Sequence, residues 1–594
     1  MTISKKINKL RKKMAEQNID IYLIPSSDFH QSEYVGDYFK AREFISGFTG
    51  SAGTVAITQT QAGLWTDGRY FIQAEAELAN TEIKLYKMGY PNAMSLDTFL
   101  VSILPQNGTL AFDGRVLSSA EGLHFETLLA DKNIRFVYEY DFIDSIWENR
   151  PKLPIEPVYS LSESYTGEST ASKLMRVRDA FHTKGATTHL LSSLDDIAWL
   201  LNLRGSDVAY TPVFLCYLYL TLDSAHLFID NNKISDTIYN LLKQNNIELH
   251  DYDEVYEFIQ YNTKDQCVFI DPSKTNYKLY RILSDSTRIV ESMNPSTLFK
   301  AQKNEIEIQN IKNAHLKDAI AHTKFLYWLK SNYNKQPITE MKASDKLEQL
   351  RAEQEHYLGP SFSPISAFAQ HAAMCHYTSS EETNTLLIEG NLYLIDSGGH
   401  YLEGSTDITR TIALGSIDAS LKIDYTNVLK GNLALARANF LYGCSGENLD
   451  ILARQYLWNA NLDYMHGTGH GIGNLLTIHE GPCNIKWRYR QEPISLESGM
   501  ILSDEPGLYI EHSHGIRLEN ELLVREGVRN EYGQFMHFEV LTYVPFDLDA
   551  IDASLLSFEE KVQLNQYHKM VYELVSPYLS KEENDWLTTY TKEI

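Results

Sequence analysis

Five side chains in the last third of this chain have the types and spacing of a ligand set for two divalent cations. Asp396 and Asp407 stand eleven residues apart, His470 closes the run His466-Gly-Thr-Gly-His470, Glu505 opens Glu-Pro-Gly, and Glu519 ends Gly-Ile-Arg-Leu-Glu. Four carboxylates with one imidazole can share oxygen ligands between two ions, a donor set that suits Mn(II), Co(II), Fe(II) or Zn(II) better than copper or a thiolate site. The chemistry such a pair supplies is hydrolysis. Taken singly, each residue has a plainer reading: Asp396 as a strand-ending surface acid, the histidines as satisfied loop residues, Glu519 as an ion-pair partner of Arg517 or Arg525. Together they repeat one pattern, an acid or imidazole beside glycine and an apolar strand, and four carboxylates in apolar surroundings require cations.

The elements that must position these groups follow from the flanking residues. Asp396 ends the apolar run Leu392–Ile395, and the odd offset to Asp407 requires a hairpin, turning near Gly404, to bring the two carboxylates together. Glycines at 467, 469, 471 and 473 oppose a helix, so the His466–Gly473 motif reads as a loop exposing two imidazoles. Helices are expected over 304–330 and 342–354. Strands are expected at 362–368, 386–389, 392–396 and 409–414 and, after a helix-rich interval, near 500–503 and 538–544. From Ile551 the chain reads as packed helices.

Upstream, Ile3, Ile7, Leu10 and Met14 make a helical stripe, Ile19–Ile24 a strand, and Thr54–Asp67 a hairpin. The prolines from Pro151 to Pro157 read as a linker. A similar order recurs about 165 residues later, with a helix at Lys173–Arg178, a strand at Thr188 and a hairpin at Tyr217–Asp230, the pattern of a duplicated domain. A length of 594 residues exceeds one hydrophobic core. We expect an α/β domain over 1–150, a related one over 151–302, an α+β domain over 303–550 carrying the ligands, and a helical extension over 551–594.

A formal net charge of -25 argues against a nucleic-acid or anionic-membrane binder. Five cysteines without a CxxC pair suit a reducing compartment. The basic N-terminus lacks a signal peptide's apolar stretch, and no run is long enough to span a bilayer, so the cytoplasm is expected.

The chain resembles the long, three-domain cytosolic form of the Xaa-Pro aminopeptidases (aminopeptidase P), within the pita-bread metallopeptidases. The resemblance rests on Ser46-Gly-Phe-Thr-Gly-Ser-Ala-Gly53, Trp65-Thr-Asp-Gly-Arg-Tyr70, the run Asp195–Gly205, His376-Tyr377, the two-aspartate segment, His466–Gly473, Ile478-His-Glu-Gly-Pro482, Glu505-Pro-Gly507 and Gly515–Asn520. It implies an α+β pita-bread catalytic domain behind two related α/β domains, and hydrolysis of the N-terminal Xaa-Pro bond by a hydroxide shared between two metals, Mn(II) above Zn(II) or Co(II). Carried over residue by residue, Asp396 holds one metal, His470 and Glu505 the other, and Asp407 and Glu519 bridge. His376, His466 and His479 surround the substrate, Glu505 shuttles a proton, and Arg517 joins the substrate pocket. The implied partners are proline-containing peptides and a second copy of the chain.

Gly399-His400 departs from the family's usual Ala-Gln, and His400 is expected behind the ligands or pointing outward. A prolidase would cleave only dipeptides, and the three-domain length favours the aminopeptidase. A creatinase or a non-catalytic binding protein would lack part of the ligand set.

Overall fold

The computed structural model describes residues 1–284, 287–488 and 493–594. They form two compact units, one of Met1–Ser162 with Glu168–Thr297 and one of Glu163–Gly167 with Leu298–Ile594.

In the first unit, helix α1 (Ile3–Glu16) buries Ile7, Leu10 and Met14, the stripe expected from their spacing. Strands β1 (Ile21–Pro25), β2 (Thr54–Thr58), β3 (Ala62–Thr66), β4 (Ile83–Lys87), β5 (Thr109–Ala111) and β6 (Arg135–Val137) form a sheet in the order β4-β3-β2-β1-β5-β6. Strand β1 is buried along its whole length, so its apolar residues run on without polar alternation. After helix α2 (Thr170–Thr183), a second sheet takes β7 (Thr188–Leu191), β8 (Cys216–Thr221), β9 (Ala225–Ile229), β10 (Ile247–His250), β11 (Cys267–Ile270) and β12 (Arg288–Glu291) in the order β10-β9-β8-β7-β11-β12. Position for position this is the first sheet again. A central strand carries an antiparallel hairpin and a parallel edge strand on one side. Two parallel strands lie on the other side. The recurrence read from the sequence is thus a repeated topology. Helix α3 (Val255–Asn262) follows β10.

The second unit opens with α4 (Glu305–Asn332), started by a capping box in which Asn304 and Glu307 satisfy each other's backbone N–H groups. It continues with α5 (Glu340–Ala352). Strands β13 (Ile365–Phe368), β14 (Asn391–Ser397) and β15 (Ile408–Leu414) make an antiparallel sheet in that order. The strand expected over 386–389 does not form. Leu386 makes only an isolated bridge to Thr339, and the chain turns at Gly390, whose φ of 98° ends any extended run. Helices α6 (Ala419–Ala436) and α7 (Gly446–Asn459) fill the helix-rich interval.

The strands that follow α6 are β16 (Asn439–Leu441), β17 (Gly469–Gly471), β18 (Glu480–Ile485), β19 (Ile501–Asp504), β20 (Gly507–Ile510), β21 (His514–Arg517), β22 (Asn520–Asn530) and β23 (Gly533–Val540). They build a six-stranded sheet in the order β16-β23-β22-β19-β17-β18 and a separate β20-β21 pair. Helices α8 (Phe558–Val575) and α9 (Lys581–Tyr590) close the chain and bury Val571, Val575 and Leu587. One apolar core joins Phe325 and Leu329 of α4, Ile395 of β14, Ile408 and Ile412 of β15, Leu429 of α6 and Ile516 of β21. Each such side chain contributes about 1.5–3 kcal/mol by burial, so the strands that end at the acidic residues are held firmly against one another.

Candidate metal centre

Asp396 lies one residue before the end of β14 and Asp407 immediately before β15. The two strands pair with Asp396 opposite Thr409, so the hairpin required by the eleven-residue offset is present. Its turn runs through two short paired strands, Gly399–Tyr401 and Gly404–Ser405. At Gly398 an added Cβ would meet the Thr406 carbonyl oxygen at 1.7 Å, so a side chain there would push the two arms apart.

The His466–Gly473 motif is only partly a loop. His466 lies in the loop, but His470 sits on β17, paired with β18 and β19. The glycines that argued against a helix serve close strand packing instead: a Cβ at Gly469 would come within 1.9 Å of the Ser503 carbonyl oxygen. Glu505 follows β19, with its N–H donating to Thr468 O at 2.8 Å, and Glu519 precedes β22, with its N–H donating to Thr409 O at 3.1 Å.

These elements bring the acids and the imidazole together. Donor atoms of Asp407, His470 and Glu519 lie within 4.8 Å of one another. His470 Nε2 is 3.5 Å from Asp407 Oδ2 and 3.5 Å from Glu505 Oε1. Its Nδ1–H donates to the Gly471 carbonyl at 3.0 Å, which assigns the neutral tautomer and leaves a lone pair on Nε2 facing two carboxylates. Asp396 accepts from Arg517 Nη2 at 2.5 Å through Oδ2, while its buried Oδ1 has no hydrogen-bond partner among the described residues. Glu519 accepts from Thr409 Oγ1 at 2.7 Å. It forms no ion pair with Arg517 or Arg525 among the described residues; Arg525 instead holds Glu305 and Glu539.

Burial, reinforced by the neighbouring carboxylates, drives the Asp407 and Glu519 carboxyls well above the usual range. Glu505 is pushed up to about 7 by burial and by Asp407 and Asp396, against the pull of His470 and Arg517. A cation-free cluster must therefore take up protons, whereas divalent cations would satisfy the acids, the bare Asp396 oxygen and the His470 lone pair at once. The donor set fits two divalent cations.

The other histidines flank the cluster. The His479 ring centroid is 4.2 Å from that of His470. His466 donates Nδ1–H to Gly467 O at 2.7 Å and accepts at Nε2 from the Tyr509 hydroxyl at 2.8 Å, and that hydroxyl accepts from Arg517 Nη1 at 2.6 Å. Burial first, then the Arg517 charge, with a contribution from His376, pushes His466 well below its ordinary value, so the ring is neutral. His400 does not point outward. It is buried, with Nδ1 2.8 Å from Ser405 Oγ in the hairpin turn.

Comparison with known proteins places this geometry. Residues 309–526 match the model of metallopeptidase family M24, 534–594 the C-terminal region of peptidase M24, and 6–138 and 149–307 two models of the creatinase/prolidase N-terminal domain. Xaa-Pro aminopeptidase 1 of Dictyostelium discoideum is 37% identical over 613 residues, covering 100% of this chain and 97% of that protein. Xaa-Pro aminopeptidase 2 of Homo sapiens is 37% identical over 597 residues, covering 98% and 88%. The chain belongs to the Xaa-Pro aminopeptidase family. The crystal structure of X-prolyl aminopeptidase from Caenorhabditis elegans, described as a cytosolic enzyme with a di-nuclear active site, matches over 100% of both chains with a TM-score of 0.95 at 36% identity.

In this chain two related α/β domains precede an α+β pita-bread metallopeptidase domain. Several residues that support the cluster were not singled out from the sequence. Glu521 accepts the Asp407 N–H at 2.7 Å and takes a bond from His315 Nε2 at 3.0 Å. Thr409 bonds Glu519, and Ser503 Oγ donates to Glu505 at 3.2 Å. Glu521 had a signal: it lies two residues after Glu519, which is the same-face spacing of a strand. His315, far upstream on α4, had none.

Proposed function

We propose that this chain hydrolyses the N-terminal Xaa-Pro bond of peptides, releasing the first residue, with two divalent cations held by Asp396, Asp407, His470, Glu505 and Glu519. The observation that carries the reading is the convergence of His470 Nε2, 3.5 Å from both Asp407 Oδ2 and Glu505 Oε1, with donor atoms of Asp407, His470 and Glu519 all within 4.8 Å of one another, a spacing that a shared cation fits. We assign Asp396 to one ion, His470 and Glu505 to the other, and Asp407 and Glu519 to both. Four carboxylates to one imidazole favour Mn(II), with Zn(II) and Co(II) as alternatives. Bound there, the ions would lower the pKa of a shared water and polarise the scissile carbonyl.

The protein's own groups supply the remainder. Glu505, beside the reaction centre, would pass a proton to the leaving proline nitrogen. His479, whose ring lies 4.2 Å from that of His470, or His466 donates to the developing oxyanion, and His376 orients the peptide. Arg517 fixes Asp396 and Tyr509 and reaches the substrate pocket through that pair. An Xaa-Pro bond has no N–H to donate, so a pocket shaped for the ring selects it.

We further propose division at 150, 302 and 550, a homodimer, and a cytoplasmic location. The location is supported by five cysteines that are all free and by the cytosolic description of the nematode relative. Among the described residues no helix is long and apolar enough to cross a membrane.

Mass-spectrometric product analysis of Mn(II)-loaded protein with Arg-Pro-Pro, Arg-Ala-Pro and Arg-Pro tests the activity. Release of arginine from Arg-Pro-Pro and not from Arg-Ala-Pro is expected. Cleavage of the dipeptide alone would make the chain a prolidase.

A further inference from the structure

A second group of metal-ligating side chains lies in the first unit and has no part in the chemistry above. Strands β9 and β10 pair in parallel, with His226 opposite Glu248 and Phe228 opposite His250, and β10 is the edge strand of its sheet. Glu248 and His250 are two apart on one strand and so share a face. His226 Nδ1 is 3.0 Å from His250 Nε2 and 3.5 Å from Glu248 Oε2, and one donor atom from each of the three residues lies within 4.8 Å of the others.

We propose that His226, Glu248 and His250 form a separate binding site for a nitrogen-preferring divalent transition ion, typified by Zn2+. Zinc bonds of about 2.0–2.1 Å in tetrahedral geometry set neighbouring donors about 3.3 Å apart, and the two observed separations bracket that value. The surroundings are those of a built site. The Phe258 ring of α3 packs 4.9 Å from the His226 ring and 5.3 Å from the His250 ring, limiting solvent on one side. The imidazoles are mostly covered, at 18% and 19% exposed, while Glu248 is 68% exposed and lies on the side from which an ion enters. Glu254 Oε2 is 3.8 Å from His250 Nδ1, a carboxylate that favours the proton on Nδ1, so that Nε2, which faces His226 Nδ1 at 3.0 Å, carries the lone pair an ion would take in place of that hydrogen bond. Burial and the neighbouring His250 push the His226 imidazole below its ordinary value, which also favours the neutral, ligating form.

Ligand chemistry separates this site from the centre in the second unit. Two imidazoles and one carboxylate suit Zn2+ or Ni2+ and offer little to Mn2+, whereas the carboxylate-rich cluster accepts Mn2+. A bound ion would tie the edge strand to its neighbour, and Mn(II)-supported peptidase activity would not depend on it.

The test is equilibrium dialysis of the chelator-treated full chain against Zn2+ or Mn2+, with bound metal counted by inductively coupled plasma mass spectrometry. The wild type should bind one more equivalent of Zn2+ than His226→Asn/His250→Gln, the two proteins should bind equal Mn2+, and the variant should keep its Mn(II)-supported peptidase activity. Glu248→Gln, at a largely exposed position, provides a variant that keeps the fold and should weaken the extra Zn2+ at least about tenfold. Equal Zn2+ binding by the wild type and the double variant would overturn the proposal and leave the pair as a simple imidazole–imidazole hydrogen bond. So would a Glu248→Gln protein whose Zn2+ affinity is unchanged. Failure of every peptide substrate would count against the proposed activity and leave this zinc count untouched.

Discussion

Replacing Glu521 tests whether the ligands are held by the residues behind them. Its carboxylate accepts the Asp407 N–H at 2.7 Å and the His315 Nε2–H at 3.0 Å, and both side chains are fully buried. In Glu521→Ala the Asp407 N–H is left without a partner, at about 1–3 kcal/mol, and His315, whose Nδ1 already has none, loses a charge-assisted bond of about 1.5–3 kcal/mol. The sum is about 2.5–6 kcal/mol, and at about 2–4 °C per kcal/mol the Tm should fall by on the order of 10 °C. One effect runs the other way. Glu521 repels the Asp407 carboxylate, so its removal relieves the cation-free protein, and the fall should be larger with cations bound than after chelation.

Cation affinity should drop about 10–100-fold, the usual cost of losing a group that orients a ligand. Glu521→Gln keeps an acceptor for Asp407 and can donate to His315, so it should lie between wild type and alanine. The assays are Mn(II) titration of the chelated proteins followed by activity, and calorimetry with and without Mn(II). An alanine variant that binds Mn(II) as tightly as wild type would refute the reasoning; equal losses in alanine and glutamine would show that charge matters and geometry does not.

Three further outcomes follow from the same geometry. Gly398→Ala forces a Cβ to within 1.7 Å of Thr406 O and 2.2 Å of Ser361 Oγ, so the aspartate hairpin should open, at a cost above about 4 kcal/mol, and metal content of the soluble protein should fall with it. Tyr509→Phe removes the hydroxyl between Arg517 and His466 but leaves Arg517 on Asp396, so kcat/KM should fall about 10–100-fold, the effect of about 1.4–2.8 kcal/mol, with metal content unchanged. Burial pushes His189 down to about 4, and His322 and His568 down to about 3.

Those depressed values set the sign of the acid response. The unfolded chain takes up these protons near pH 6.5 and the folded chain does not, so the stabilisation is complete above about pH 6.5 and is lost as pH falls toward 4 and 3. Each group steepens the loss by about 1.4 kcal/mol per pH unit, and His322→Met should flatten the acid limb of Tm against pH.

The Asp396–Asp407 hairpin was legible because an odd offset between two acids flanked by apolar strands and glycine admits few solutions. The repeated sheets were legible because each central strand runs into a Ser-Ser pair with Asp close behind, Ser26-Ser27-Asp28 and Ser192-Ser193-Leu194-Asp195. The His466–Gly473 motif was misread as wholly a loop, since glycines that prevent a helix also permit the close strand contact found at Gly469, and local sequence does not separate the two cases. Leu386–Glu389 has strand-like residues, but Leu387 N–H bonds to Ile338 O at 2.8 Å and the segment joins a turn. His315 with Glu521, and His226 with His250, become neighbours only through tertiary pairing, and no periodicity within one element announces them.

The most direct test of the central claim is titration of the chelated protein with Mn(II) while arginine release from Arg-Pro-Pro is followed. Activity should be absent at the start and reach its plateau at two bound equivalents, and Asp407→Asn should stay inactive throughout. Full activity in the chelated protein, or a plateau at one equivalent, would contradict a two-cation centre built on Asp396, Asp407, His470, Glu505 and Glu519.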